Sequence, residues 1–92
     1  MRQLQFNITC AVSADMDNDP RFAFEISDAI HRFVCDDWGV LCDEDKEQNS
    51  RAKAHGGRIF AAYETARGKV YIITDDVHAS PAVTTVLYAH EY

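Results

Sequence analysis

His31, Cys35, Cys42 and His55 are of the residue types that hold zinc, and the first two stand four apart, one turn of a helix. The closely spaced cysteine pair usual in a structural zinc site is missing, however. Cys35 is therefore expected as a thiol at the edge of the core and His31 as a surface imidazole. A nucleophilic Cys–His pair would need a depressed thiol pKa, whereas Cys35 and Cys42 lie beside Asp36, Asp37 and Asp43, whose charge disfavours thiolate. Asp75-Asp76 ends a predicted strand, where carboxylates can enter a cleft for acid–base work, but a turn capped by its own aspartates is the simpler expectation. Asp15 to Asp19 (DMDND) resembles the start of a calcium loop without its glycine or terminal glutamate, and is expected as a solvated acidic loop. Gly56-Gly57 lacks the spacing and the lysine of a phosphate loop. No catalytic residues, no metal ligands and no cofactor are assigned.

The stretch Cys35–Glu47 (CDDWGVLCDEDKE) offers something other than catalysis. It holds the single tryptophan and six of the fifteen acidic residues. Asp36, Asp37, Asp43, Glu44, Asp45 and Glu47 surround Trp38 with negative charge, which makes these seven residues the candidate partner-binding surface. The carboxylates would steer and select, and Trp38 would act either as an anchor or as a lid on the core.

Net charge and composition narrow the function classes. Nine basic and fifteen acidic residues give a net charge of −6, which argues against direct nucleic-acid binding and suits a protein partner with a basic surface. Ninety-two residues are expected to form one domain, residues 1–92, and a 47% hydrophobic fraction argues against disorder. No apolar run is long enough for a membrane span, and no signal peptide is evident. The odd cysteine count then leads to the expectation of reduced thiols in the cytoplasm.

The elements that must position these residues follow from periodicity. Residues 2–12 alternate, with Leu4, Phe6, Ile8 and Cys10 on one side, and are expected as a half-buried strand of an antiparallel sheet. Asp19-Pro20 starts a long helix as cap and first residue, with Phe22, Ile26, Ala29, Ile30 and Phe33 as its apolar stripe. Gly39 is expected to stop it, with the Trp38 ring folded over its end. Asp43–Lys53 reads as a short, largely exposed second helix, with acids first and bases last. Arg58–Thr65, Lys69–Asp75 and Val83–Ala89 are β-rich, the first two joined as a hairpin through Ala66-Arg67-Gly68. The expected fold is α+β: a four-stranded, mainly antiparallel sheet in the order β-α-α-β-β-β, with the long helix across one face. Tyr63, Tyr71 and Tyr88 would form an aromatic patch for protein contact if two of them lay on the other face.

Several blocks together resemble a family of small uncharacterised bacterial proteins carried on plasmids, integrated elements and prophages. They are Cys35–Gly39, Cys42–Asn49, Gly57–Glu64, Val70–Asp75, Thr84–Leu87 and Glu91-Tyr92. The likeness covers most of the chain after residue 30, although the loop Asp76–Val83 is longer than that family's usual connection. The resemblance transfers no activity. It implies the setting of a mobile element, in which small acidic proteins of phage or plasmid origin often antagonise host defence. The expectation is a non-enzymatic, acidic protein-binding module, with an anti-CRISPR or anti-restriction inhibitor that occupies a basic surface as its sharpest form. A metal-binding or hydrolytic accessory protein using His31, Cys35, Cys42, Asp75 or His78 is the first alternative. A homodimeric housekeeping protein is the second.

Overall fold

In the computed structural model, which describes residues 4–92, the chain begins with strand β1 (Leu4–Ile8) and helices α1 (Cys10–Asn18), α2 (Pro20–Val34) and α3 (Asp43–His55). Strands β2 (Ile59–Thr65), β3 (Gly68–Thr74) and β4 (Ala82–Tyr88) follow, and a single 3-10 turn at Ala89–Glu91 ends the ordered elements. The architecture is α+β, with one four-stranded mixed sheet in the order β1-β4-β3-β2. The pairs β2–β3 and β3–β4 are antiparallel, whereas β1 runs parallel to β4. The expected antiparallel pairing of the first strand is thereby corrected. A strand joined to its neighbour only through three helices and a hairpin can return in either sense, and alternation alone does not distinguish them.

The first strand is also shorter than expected. Residues 2 and 3 lie outside the described residues, and after Ile8 the chain turns directly into α1. The Thr9 hydroxyl caps that helix by accepting from the Val12 N–H at 3.4 Å. Val12 is fully buried and Met16, one turn on, packs against the core, so a short apolar stripe holds a helix where an acidic loop was expected. Among the described residues there are thus three α-helices rather than two.

The start of α2 follows its sequence signal: the Asp19 carboxylate accepts from Arg21 N at 3.1 Å and Phe22 N at 3.2 Å, and Pro20 takes the first helical position. Phe22, Ile26, Ala29 and Phe33 form its buried stripe. The helix ends at Val34, and Asp36 takes the left-handed conformation (φ 63°) that had been expected of Gly39. Gly39 serves a different need. Its φ is 78°, and a Cβ there would stand 1.9 Å from the Ala62 carbonyl oxygen. That approach lets Val40 N donate to Ala62 O (2.9 Å) while Ala62 N donates to Trp38 O (3.2 Å), a bridge along the free edge of β2.

The strand register sorts side chains onto two faces. Ile59, Ala61 and Tyr63 of β2, Val70 and Ile72 of β3, and Val86 and Tyr88 of β4 pack with the helix residues in one core. Thr74 and Thr84 share that face, and their hydroxyls bond each other at 2.8 Å, so no polar group is stranded there. Phe60, Ala62, Tyr71, Ile73, Val83, Thr85 and Leu87 point the other way. No helix of the described residues is long and apolar enough to cross a membrane.

Candidate functional site

The seven candidate partner-binding residues separate into two groups. Asp36, Asp37 and Trp38 form an internal clasp after α2. Asp37 takes a two-point hydrogen bond from Arg32, with Nε at 2.8 Å and Nη2 at 3.3 Å, and accepts from Gly39 N at 3.2 Å. The Arg32 guanidinium, followed by the Gly39 amide, holds the Asp37 carboxyl below the usual carboxylate range; the same bond raises the Arg32 pKa. Arg32 also lies 5.1 Å over the ring of Tyr63, whose hydroxyl donates to the Asp37 carbonyl at 2.7 Å. Burial, with the Asp37 charge second, pushes that hydroxyl far above its ordinary pKa. Lys53 reaches from α3 to Asp36, tying the segment to the next helix. Trp38 is 8% exposed and belongs to the core cluster, the position of a lid.

Asp43, Glu44 and Asp45 behave differently. They occupy the first turn of α3, are exposed, and form no ion pair among the described residues. Their charge meets the positive end of the helix dipole, which Cys42 as N-cap leaves without a side-chain acceptor. Glu47, also exposed, stands 3.8 Å from Arg51 one turn along. An exposed pair of this kind contributes little and leaves its carboxylate available to a partner.

Asp45 leads to a feature the sequence reading missed. With Gln48, Asn49, Arg58, Phe60 and Tyr92 it lines an open groove of about 390 Å³ between α3 and the helix-free face of the sheet. Asn49 is its inner wall, 3% exposed. Its side-chain amide donates to Phe60 O at 2.8 Å and accepts from Phe60 N at 3.1 Å, completing the edge of β2 as a neighbouring strand would. The final turn brings Tyr92 over the sheet, its ring edge-on to Phe60 (6.2 Å) and Tyr71 (5.8 Å), with Phe60 and Tyr71 4.6 Å apart. Arg58 lies 5.1 Å over the Tyr92 ring and donates to its hydroxyl. Tyr92 is nonetheless 65% exposed.

The register does not meet the condition for a patch made of the three tyrosines. Tyr63 and Tyr88 sit on the covered face, and Tyr71 alone reaches the open one. Phe60, paired with Ile73 and adjacent to Tyr71, could have been found by carrying the period of two through the hairpin. Tyr92 could not, because its position depends on a turn beyond the last strand.

The metal and hydrolytic candidates do not converge. Among the described residues no group of three His, Cys, Asp or Glu side chains is placed to hold an ion. Cys35 Sγ lies 3.9 Å from His31 Nε2 on an exposed helix face, whereas Cys42 begins α3 and His55 ends it. His78 Nε2 is 3.0 Å from the Lys53 carbonyl. Asp76 accepts from His78 N at 3.0 Å and Gly57 N at 3.2 Å, bonds that lower its pKa and make it the cap of its own turn. A second polar cluster joins Tyr88, Asp15, Arg67 and Asp19 at the hairpin end of the sheet, and its groups satisfy one another. Searches against family models, curated proteins and solved structures found no match to the chain.

Proposed function

We propose that the protein is a non-enzymatic binding module whose contact surface is the acidic first turn of α3 and the helix-free face beside it. Its partner is a protein with a basic surface, and the resemblance to mobile-element proteins favours a nucleic-acid-handling defence complex whose basic channel this chain would occupy. One observation carries the reading. The acids on either side of Trp38 are divided by their partners rather than by exposure: Asp36 and Asp37, about half exposed, are paired with Lys53 and Arg32, while Asp43, Glu44 and Asp45 form no ion pair among the described residues and Asp45 lines the groove beside the sheet. Intramolecular pairing accounts for the first two, and a basic partner would give the other three a role in addition to the helix dipole.

The test is recovery of partners from a bacterial host lysate at low and at moderate salt, read by mass spectrometry. The reading expects one nucleic-acid-handling complex, weakened by salt, and its loss in a D43N/E44Q/D45N variant that keeps its fold. Capture that ignores both salt and the substitutions would overturn it.

A further inference from the structure

We infer that the groove between α3 and the open sheet face receives an arginine side chain of the partner polypeptide. This deepens the binding role proposed above and rests on it. The groove joins two elements that a guanidinium recognises together. Phe60 and Tyr92 line it with edge-on rings, both packed against Tyr71 behind them, Tyr92 is left largely uncovered, and Asp45 supplies a carboxylate on the adjoining helix. A guanidinium can lie flat on a ring while its edge donates to a carboxylate, which a compact ammonium cannot do. The chain already brings one guanidinium to this ring, since Arg58 lies 5.1 Å from the Tyr92 centroid and donates to its hydroxyl. Arg58 sits at the hydroxyl end of that ring, and the partner's arginine takes the remaining exposed ring surface together with Asp45.

Charge selects the occupant. Arg58 in the groove wall is engaged by the Tyr92 hydroxyl, which leaves Asp45 as the wall's unpaired charge among the described residues, and with a net charge of −6 a second copy of the chain would bring a like-charged molecule to this face. An arginine-bearing segment brings the opposite charge and the planar group the rings accept.

The test uses a synthetic peptide of alternating glycine and arginine and its glycine–lysine counterpart, titrated into the labelled protein and followed by NMR. Arginine peptide should bind about fivefold tighter than lysine peptide, the margin expected of stacking in addition to charge. The shifts should centre on Asp45, Phe60, Tyr71 and Tyr92. Tyr92→Ala, at a ring that is 65% exposed, should keep the wild-type amide spectrum away from the groove, abolish the arginine preference and leave weaker, equal binding of both peptides. D43N/E44Q should weaken both peptides alike. Equal binding of the two peptides to the wild type, or an arginine preference that survives Tyr92→Ala, overturns the groove assignment while the acidic surface stands. Failure of both peptides to bind overturns the groove and the acidic surface together. Concentration-dependent shifts on this face without peptide would make a second copy the occupant, and the assignment would fall.

Discussion

Asn49→Ala should unfold the edge of the sheet more than any exposed substitution on α3. The Asn49 amide makes two hydrogen bonds to the backbone of Phe60, at 2.8 and 3.1 Å, from a side chain that is 3% exposed. Each such bond contributes about 1 kcal/mol net, and an orphaned strand amide or carbonyl costs about 1–3 kcal/mol more where water cannot replace the partner. The groove admits water to part of this edge, which places the loss near the lower end, about 2–3 kcal/mol. For a domain of this size that is a fall of roughly 10–20 °C in Tm. With a urea m-value of about 1–1.5 kcal/mol/M, the midpoint should move by about 2 M. Urea unfolding followed by far-UV circular dichroism and by Trp38 fluorescence gives both quantities. Asn49→Asp keeps the acceptor for Phe60 N but turns a carboxylate toward the Phe60 carbonyl, so it should be no milder at neutral pH. Light scattering should also rise for Asn49→Ala, because the exposed edge of β2 becomes a template for pairing. A shift below about 0.5 kcal/mol, which is ordinary for a surface substitution, would refute the view that this side chain stands in for a strand.

Other consequences are as direct. Gly39→Ala places a Cβ 1.9 Å from Ala62 O at a φ of 78°, so the bridge to β2 must open; a loss of about 2–4 kcal/mol in urea unfolding is expected. The folded-state pKa of Asp37 is depressed chiefly by Arg32, so its stabilisation is present above the unfolded value of 3.8 and is lost as pH falls through the folded one. Asp37→Asn should therefore flatten the acid limb of the stability profile below about pH 4. Burial, with the Asp15 hydrogen bond second, pushes the Tyr88 hydroxyl up to about 12 from 10.0. Stability linked to Tyr88 is full below pH 10 and declines as pH rises toward 12. Tyr88→Phe should remove that decline, and tyrosinate absorbance should lose a late-titrating group.

Local signals in the sequence were reliable where one residue carries the physics. Asp19-Pro20 starts α2 because the carboxylate and the missing N–H act within one turn, and Gly68 closes the β2–β3 hairpin for the same local reason. Sense and partnership were not local. Whether β1 runs with or against β4 depends on a crossover of some seventy residues, and Leu4–Ile8 alternates in the same way in both cases. The helix at Cys10–Asn18 was hidden because only Val12 and Met16 mark its buried side, while DMDND has the composition of a loop. At the candidate site the acidic run of α3 was visible as charge. The distinction between unpaired Asp43–Asp45 and ion-paired Asp36 and Asp37 was not, because it is made by Arg32 and Lys53 from two different helices. The groove was invisible for a related reason: Asp45, Arg58 and Tyr92 meet only after the sheet has formed.

The most direct measurement is equilibrium binding of the recovered partner to the wild type and to D43N/E44Q/D45N across a salt series. The wild type should weaken steeply with salt, and the variant should bind less tightly with a shallower salt dependence while its Tm stays within a few degrees. Identical affinities and slopes for the two proteins would contradict the assignment of α3 as the contact surface.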